Sequence, residues 1–155
     1  MPVIERTVIL IKPDAIQRGY IGEIIHRIER KGLQLVAMKM IQLTDAMLSD
    51  HYAHHADKSF FASLKAFMQS TPVVAMIWAG PEAISVVRTL VGPTKGHEAP
   101  AGTIRGDFTI EPSHNAVHAS DSAATATAEI ERFFQPAEVF AYQRTVNQHI
   151  YDPDR

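Results

Sequence analysis

A histidine stands just ahead of a helix-capping pattern near the end of the chain. Within residues 114–122, the small apolar pair Ala116 and Val117 leads into His118, and Ser120 and Asp121 follow where a helix N-cap belongs. Glu129 comes a few turns later, on the helix that this cap begins. The expected arrangement is an imidazole at a strand-to-helix corner with a carboxylate on the following helix. Such a corner leaves backbone N–H groups unpaired at the positive end of the helix dipole, which suits a histidine that must meet an anionic substrate. An ordinary structural histidine fits the same local pattern, so the choice rests on the rest of the chain.

A second set of histidines lies upstream at His51, His54 and His55, and His114 stands four before His118. The i, i+4 spacing of His51 and His55 could grip zinc or nickel. No carboxylate accompanies them at matched spacing, so they are expected on the polar face of a helix, and no dedicated metal ligand is expected.

The elements that must position His118 read out in alternation. Residues 7–11 are a β-branched and aliphatic run stopped by Lys12-Pro13-Asp14, a buried strand ending in a turn. Ile21, Ile24, Ile25 and Ile28 share one helical face, which ends at Lys31 and Gly32. Residues 33–43 return to strand character, with Leu33, Leu35 and Ala37 on one side, Val36, Met38 and Met40 on the other, and both faces covered. Thr44 and Asp45 cap a helix running to His51 and Tyr52, and Phe60, Phe61, Leu64, Phe67 and Met68 recur at helical intervals. Residues 73–78 form a strand, after which Gly80-Pro81 opens a helix with Ile84, Val87, Leu90 and Val91 inward and Arg88 off the apolar face. Residues 92–106 are a long loop, of the kind that usually carries function.

The chain has 155 residues, 46% of them hydrophobic, enough for one domain with a substantial core, and it is read as a single domain over residues 1–155. Its net charge of −2 and lack of a basic run oppose a dedicated nucleic-acid reader. With no cysteine, neither disulfides nor thiolate metal sites are available. No run reaches transmembrane length and the N-terminal residues do not follow a signal-peptide plan, so a cytoplasmic protein is expected. Four strands alternating with helices leave two layouts open, a doubly wound parallel sheet or a ferredoxin-like split βαβ with a four-stranded antiparallel sheet and helices on one face.

Residues 115–122, Asn115-Ala116-Val117-His118-Ala119-Ser120-Asp121-Ser122, resemble the active-site signature of nucleoside diphosphate kinases. Lys12-Pro13-Asp14, His51-Tyr52, Phe60-Phe61 and Gly102-Thr103-Ile104-Arg105-Gly106-Asp107-Phe108 resemble that family's other blocks, in the same order. The resemblance implies the α+β, ferredoxin-like layout. It also implies ping-pong transfer of a γ-phosphoryl group from a nucleoside triphosphate, through a phosphohistidine, to a nucleoside diphosphate. A non-catalytic nucleotide sensor or scaffold of the same fold is the alternative.

On this resemblance His118 is the nucleophile through its δ nitrogen, and Glu129, steadied by the Ser120 hydroxyl, orients the ring. Tyr52 lies near the histidine and Lys12. Lys12 and Asn115 contact the ribose, and Lys12, Arg88, Thr94 and Arg105 converge on the phosphates. Phe60 stacks on the base with Leu64 supporting it, while Phe67 stays core. Pro112 replaces an aliphatic residue against the base. Magnesium arrives on the nucleotide phosphates, with Asp121 a possible outer-shell partner. A homo-oligomer built from dimers is implied, a hexamer ahead of a tetramer. Gly96 stands where hexameric relatives often carry proline, which is expected to loosen the loop, so that proline at this position would strengthen the assembly.

Overall fold

A computed structural model describes residues 2–155. Chain order is β1 (Ile4–Ile11), α1 (Pro13–Arg18), α2 (Ile21–Lys31), β2 (Gln34–Ile41), α3 (Asp45–His51), α4 (Phe61–Met68), β3 (Val73–Pro81), α5 (Ala83–Val91), α6 (Ile104–Phe108), β4 (Val117–Ala119) and α7 (Ala123–Phe133), with short 3₁₀ turns between. The four strands form one sheet in the order β2-β3-β1-β4, and every pairing is antiparallel. The α+β layout is therefore the antiparallel one, and the doubly wound alternative falls.

Both faces of this sheet are covered, not one. Alternate residues of β1 explain why: Ile9 and Ile11 enter a core with Ile24 and Ile28 of α2 and Val87 and Val91 of α5. Val8 and Leu10 enter a second core with Leu48 of α3, Met68 of α4 and Phe133 of α7. A strand buried on both sides needs an unbroken apolar run, which is what residues 7–11 supply around the buried Thr7. Trp78 and Phe133, both almost wholly buried, anchor the two layers, each contributing on the order of 2–3 kcal/mol.

Local chemistry moves several boundaries. Lys12-Pro13-Asp14 is not only a turn: Pro13 takes the first position of α1, where its missing N–H costs nothing. Gly80 and Pro81 still belong to β3, and α5 begins only after Glu82, whose φ is 52°. A bulge between Leu35 and Ala37 shifts the register of β2 against β3, so Ala37 joins Val36 in the second core instead of following Leu33 and Leu35 into the first. Past that bulge the outer face is open, with Met38 and Met40 more than half exposed on an edge strand. Residues 92–106 hold a 3₁₀ turn at Gly96–Glu98 and run into α6, capped by Thr103.

Candidate active site

Strand pairing aims His118. It lies opposite Leu10 in the β1–β4 register, and side chains directly opposite share a face. Leu10 belongs to the core beneath α3, α4 and α7, so the imidazole enters that layer, while Val117 and Ala119 turn to the other. The turn before β4 is tight. Val117 N–H donates to Asn115 C=O at 2.8 Å across Ala116, whose φ of 71° is unusual for a residue with a side chain. Asp14 accepts from Ala116 N–H at 3.0 Å and Lys12 N–H donates to Ala116 C=O at 2.8 Å, so the start of α1 clamps this turn.

Helix α7 supplies the carboxylate. Its buried positions are Ala126, Glu129 and Phe133, a helical stripe, so Glu129 is delivered into the protein with the apolar residues around it. The helix is capped by Ser122, which accepts from Thr125 N–H at 3.1 Å, not by Ser120 or Asp121. Ser120 is fully buried for another purpose: its hydroxyl donates to Glu129 Oε1 at 2.5 Å and accepts from Val8 N–H at 3.2 Å. The second carboxylate oxygen, Oε2, accepts from His118 Nε2 at 2.6 Å. With its proton on Nε2, the ring keeps the Nδ1 lone pair free.

His118 sits in a cleft of about 1040 Å³, large enough for a nucleotide-sized ligand. Lys12, Tyr52, Phe60, Leu64, Arg88, Thr94, Arg105, Pro112, Asn115 and Asp121 all line it, so every site residue read from the sequence reaches it except Ser120, which works from behind Glu129. Lys12 is buried, and its Nζ donates to Asn115 Oδ1 at 2.8 Å. Burial, with repulsion from Arg105, lowers its pKa to about 8, and Asp14 offsets part of this. Asn115 also donates to Thr94 C=O at 3.0 Å, which fixes the loop ahead of the turn at Gly96–Glu98.

Arg105 is spent largely on structure: its N–H groups reach the carbonyls of Asn115, Gly92 and Val117 at 3.3, 3.1 and 2.7 Å. Burial and the nearby Arg88 lower its pKa to about 10. Arg88 is exposed and touches Ala119 C=O at 3.4 Å, leaving most of its fork for a ligand. The Tyr52 hydroxyl is buried without a hydrogen-bond partner among the described residues, and desolvation, then the Glu129 charge, pushes its pKa to about 12. At the far end Phe60 is 46% exposed, an aromatic face open to the cleft.

Three residues depart from the sequence reading. His51 is buried, not on a polar face; its ring meets the His118 ring edge-on with centroids 4.5 Å apart. Because α3 ends at His51, His55 lies on a separate 3₁₀ turn and the pair does not share a helical face. Phe67 is half-buried and lines the cleft against His114, at 4.0 Å between centroids, instead of lying wholly in the core. Arg132 went unnoticed in the sequence, although it follows Glu129 by one helical turn and so shares its face.

Metal chemistry is limited by the donors present. Among the described residues, one group of His and acidic side chains gathers closely, His51, His118 and Glu129, with ligand atoms within 4.8 Å of one another. Two imidazoles beside the Arg132 guanidinium do not suit magnesium, which takes oxygen ligands. Asp121 does offer oxygen on the cleft wall, and hydrogen bonding from Thr125, with the Arg88 charge, holds its carboxyl below the usual range.

A nucleophilic imidazole backed by a buried carboxylate, facing lysine and arginine in an open cleft, is the equipment of a phosphotransferase, since charge must be offset where phosphate oxygens gather. The sequence profile of nucleoside diphosphate kinase matches residues 5–139, and the chain belongs to that family of phosphotransferases. It is 51% identical to the nucleoside diphosphate kinase of Parabacteroides distasonis, covering 90% of this chain and 91% of the relative. Against that of Archaeoglobus fulgidus it is 49% identical over 96% of this chain and 98% of the relative. The structure of a halophilic nucleoside diphosphate kinase from Halobacterium salinarum in complex with CDP superposes with a TM-score of 0.95, at 40% identity, covering 97% of this chain and 100% of the other. A nucleoside diphosphate kinase family protein from Babesia bovis gives 0.92 at 48% identity, covering 95% and 99%. These likenesses favour the enzyme over a non-catalytic sensor of the same fold.

Proposed function

We propose that the protein, a single domain, carries phosphoryl groups between nucleotides on His118. The carrying observation is the Glu129 bridge, which binds His118 Nε2 and Ser120 at once and so presents Nδ1 to the cleft. The Nδ1 lone pair attacks the γ-phosphorus of a nucleoside triphosphate. The bond to the β-phosphate oxygen breaks, and the diphosphate leaves with that electron pair. A second diphosphate then attacks the phosphohistidine through a terminal oxygen, and the P–N pair returns to Nδ1. Throughout, Nε2–H stays on Glu129.

Lys12, Arg88 and Arg105 offset the phosphate charge, and Tyr52 lines the same cleft beside them. Thr94 and Asn115 hold the sugar and phosphate end. Phe60, with Leu64, offers the base a face and Pro112 forms the opposite wall. Magnesium bound to the nucleotide neutralises the transferring group, with Asp121 as an outer-shell acceptor. No described helix is long and apolar enough to cross a membrane, which accords with a cytoplasmic enzyme.

The same reading extends to assembly. Edge strand β2 exposes Met38 and Met40, and Phe140, 63% exposed, lies alongside because its N–H donates to Val36 C=O at 2.9 Å. An apolar patch beside this sheet edge favours a dimer, and dimers associating through residues 92–106 make a hexamer, with a tetramer as competitor. Light scattering reads this directly: a mass near four chains refutes the hexamer. For the chemistry, γ-labelled ATP with magnesium labels the protein with an acid-labile, alkali-stable phosphate that chases onto an added diphosphate. His118→Ala takes up none, and label retained in that variant overturns the assignment.

A further inference from the structure

Behind His118 lies a second imidazole that the transfer itself does not use. His51 is enclosed by Tyr52, the His118 ring and Phe133, with centroid separations of 4.6, 4.5 and 5.2 Å. Its Nδ1 lies 2.9 Å from Arg132 Nη1. A guanidinium can only donate, so this nitrogen must accept, and the ring proton belongs on Nε2. Arg132 is steered there by Asp50, whose Oδ2 accepts from Nε at 2.8 Å, and its guanidinium carbon lies 5.9 Å from the centre of the Phe133 ring.

The position of Glu129 makes that tautomer matter. The same Nδ1 of His51 is 3.7 Å from Glu129 Oε2, the oxygen that accepts from His118 Nε2. A proton on His51 Nδ1 would create a second imidazole donor for that oxygen. It would loosen the bond that orients His118, the ring that has to attack a phosphate. We propose that Arg132 is a positioning residue which, by donating to His51 Nδ1, excludes a proton there and reserves Glu129 Oε2 for His118. The inference rests on His118 as the phosphorylated residue and adds a requirement to that reading.

The charged and titratable surroundings agree. Arg132 and Glu129 of α7, His118 of β4, Lys12 after β1, His54 from the following turn, and Asp50 and Tyr52 beside His51 all face it. Burial, followed by the His118 and Arg132 charges, lowers the His51 pKa to about 2, so the ring stays neutral at working pH. Helix α7 thus orients the nucleophile twice, directly through Glu129 and indirectly, one turn on, through Arg132.

Single-turnover labelling of wild type and Arg132→Met across pH tests this. The ratio of variant to wild-type rate should fall to about a tenth at every pH from 6 to 9, because exchange between neutral tautomers takes up no proton, and Arg132→Lys, which still donates, should recover most of the loss. A ratio near one, or no recovery in Arg132→Lys, overturns the proposal. Nitrogen-15 spectra of histidine-labelled wild type give a second reading that does not depend on the variant folding or on catalysis. His51 should show protonated Nε2 and bare Nδ1 from pH 5 to 8, and an Nδ1–H or doubly protonated ring in that range also overturns it. Failure of wild type to label His118 would instead strike the transfer reading, leaving the spectral test to judge the tautomer.

Discussion

The ammonium of Lys12 rests on the side-chain oxygen of Asn115 at 2.8 Å, a neutral acceptor across the start of the cleft. Burial, then repulsion from Arg105, lowers the Lys12 pKa to about 8, and Asp14 offsets only part of this.

Nucleotide binding should therefore weaken above about pH 8, where Lys12 loses its charge. KM measured between pH 7 and 9.5 should rise on the alkaline side, and Lys12→Met should show a high KM without that limb. For stability the sign is opposite. The unfolded lysine keeps its proton up to about 10.5, so between 8 and 10.5 the unfolded state binds more protons and folding gains as pH rises. Urea midpoints of wild type relative to Lys12→Met should climb through that window; a flat difference contradicts the depressed value.

Ser120→Ala removes the donor to Glu129 Oε1 and the acceptor for Val8 N–H, leaving two buried polar groups short. The expected cost is about 2–4 kcal/mol, at roughly 1–3 per group with partial relaxation. A slower phosphorylation step should accompany it, on the order of 10- to 100-fold, as losing an orienting partner of a histidine usually gives. Denaturant unfolding and single-turnover labelling measure the two separately. Full stability in the variant would mean the hydroxyl is not the partner the geometry makes it.

Phe60→Ala should raise KM for purine and pyrimidine diphosphates together, because an exposed ring face attracts any base plane. Stacking of about 1–3 kcal/mol corresponds to a loss of roughly five- to 150-fold in affinity. Steady-state kinetics with both base types decide it. A loss confined to one type would point to base-edge recognition elsewhere.

Gly96→Pro should destabilise the fold, contrary to the expectation that proline would strengthen the assembly. A Cβ on Gly96 would lie 2.1 Å from Thr109 Oγ1 and 2.7 Å from the Thr109 carbonyl carbon. Proline would also remove the N–H that donates to Glu111 C=O at 3.4 Å. The expected loss is about 1–3 kcal/mol, as for an overpacked site. Thermal unfolding checks it, and a raised midpoint would restore the entropic view of this loop.

The chemistry was more legible in the sequence than its supports. Hydrophobic period and cap residues placed Thr44 as the cap of α3 and Gly32 at the end of α2, since both depend on neighbours in sequence. The bulge at Leu35–Ala37 left no local mark, because register is settled between strands. Motif residues brought Lys12, Tyr52, Phe60, Arg88, Asn115 and His118 to one cleft as expected. His51 was misread as solvent-facing because its burial comes from Phe133 and His118, both far away in the chain. The surroundings of Gly96 are hidden for the same reason: the atoms that crowd a Cβ there belong to Thr109 and Ile110, beyond its local sequence.

Strand β4 is three residues long and pairs with β1 at the end of the sheet, with Val8 meeting the Ser120 hydroxyl across 112 residues. On the ribosome, the earlier strands can pair well before β4 emerges, whereas His118 and Glu129 arrive among the later segments to be made. A nascent chain can therefore begin to cover the α2 and α5 face of the sheet before α7 brings Phe133 to the other. The site is complete only when β4 closes the last sheet edge and α7 covers its second face, so a ribosome-bound chain stalled ahead of His118 would be partly folded and would lack the imidazole on which transfer is proposed.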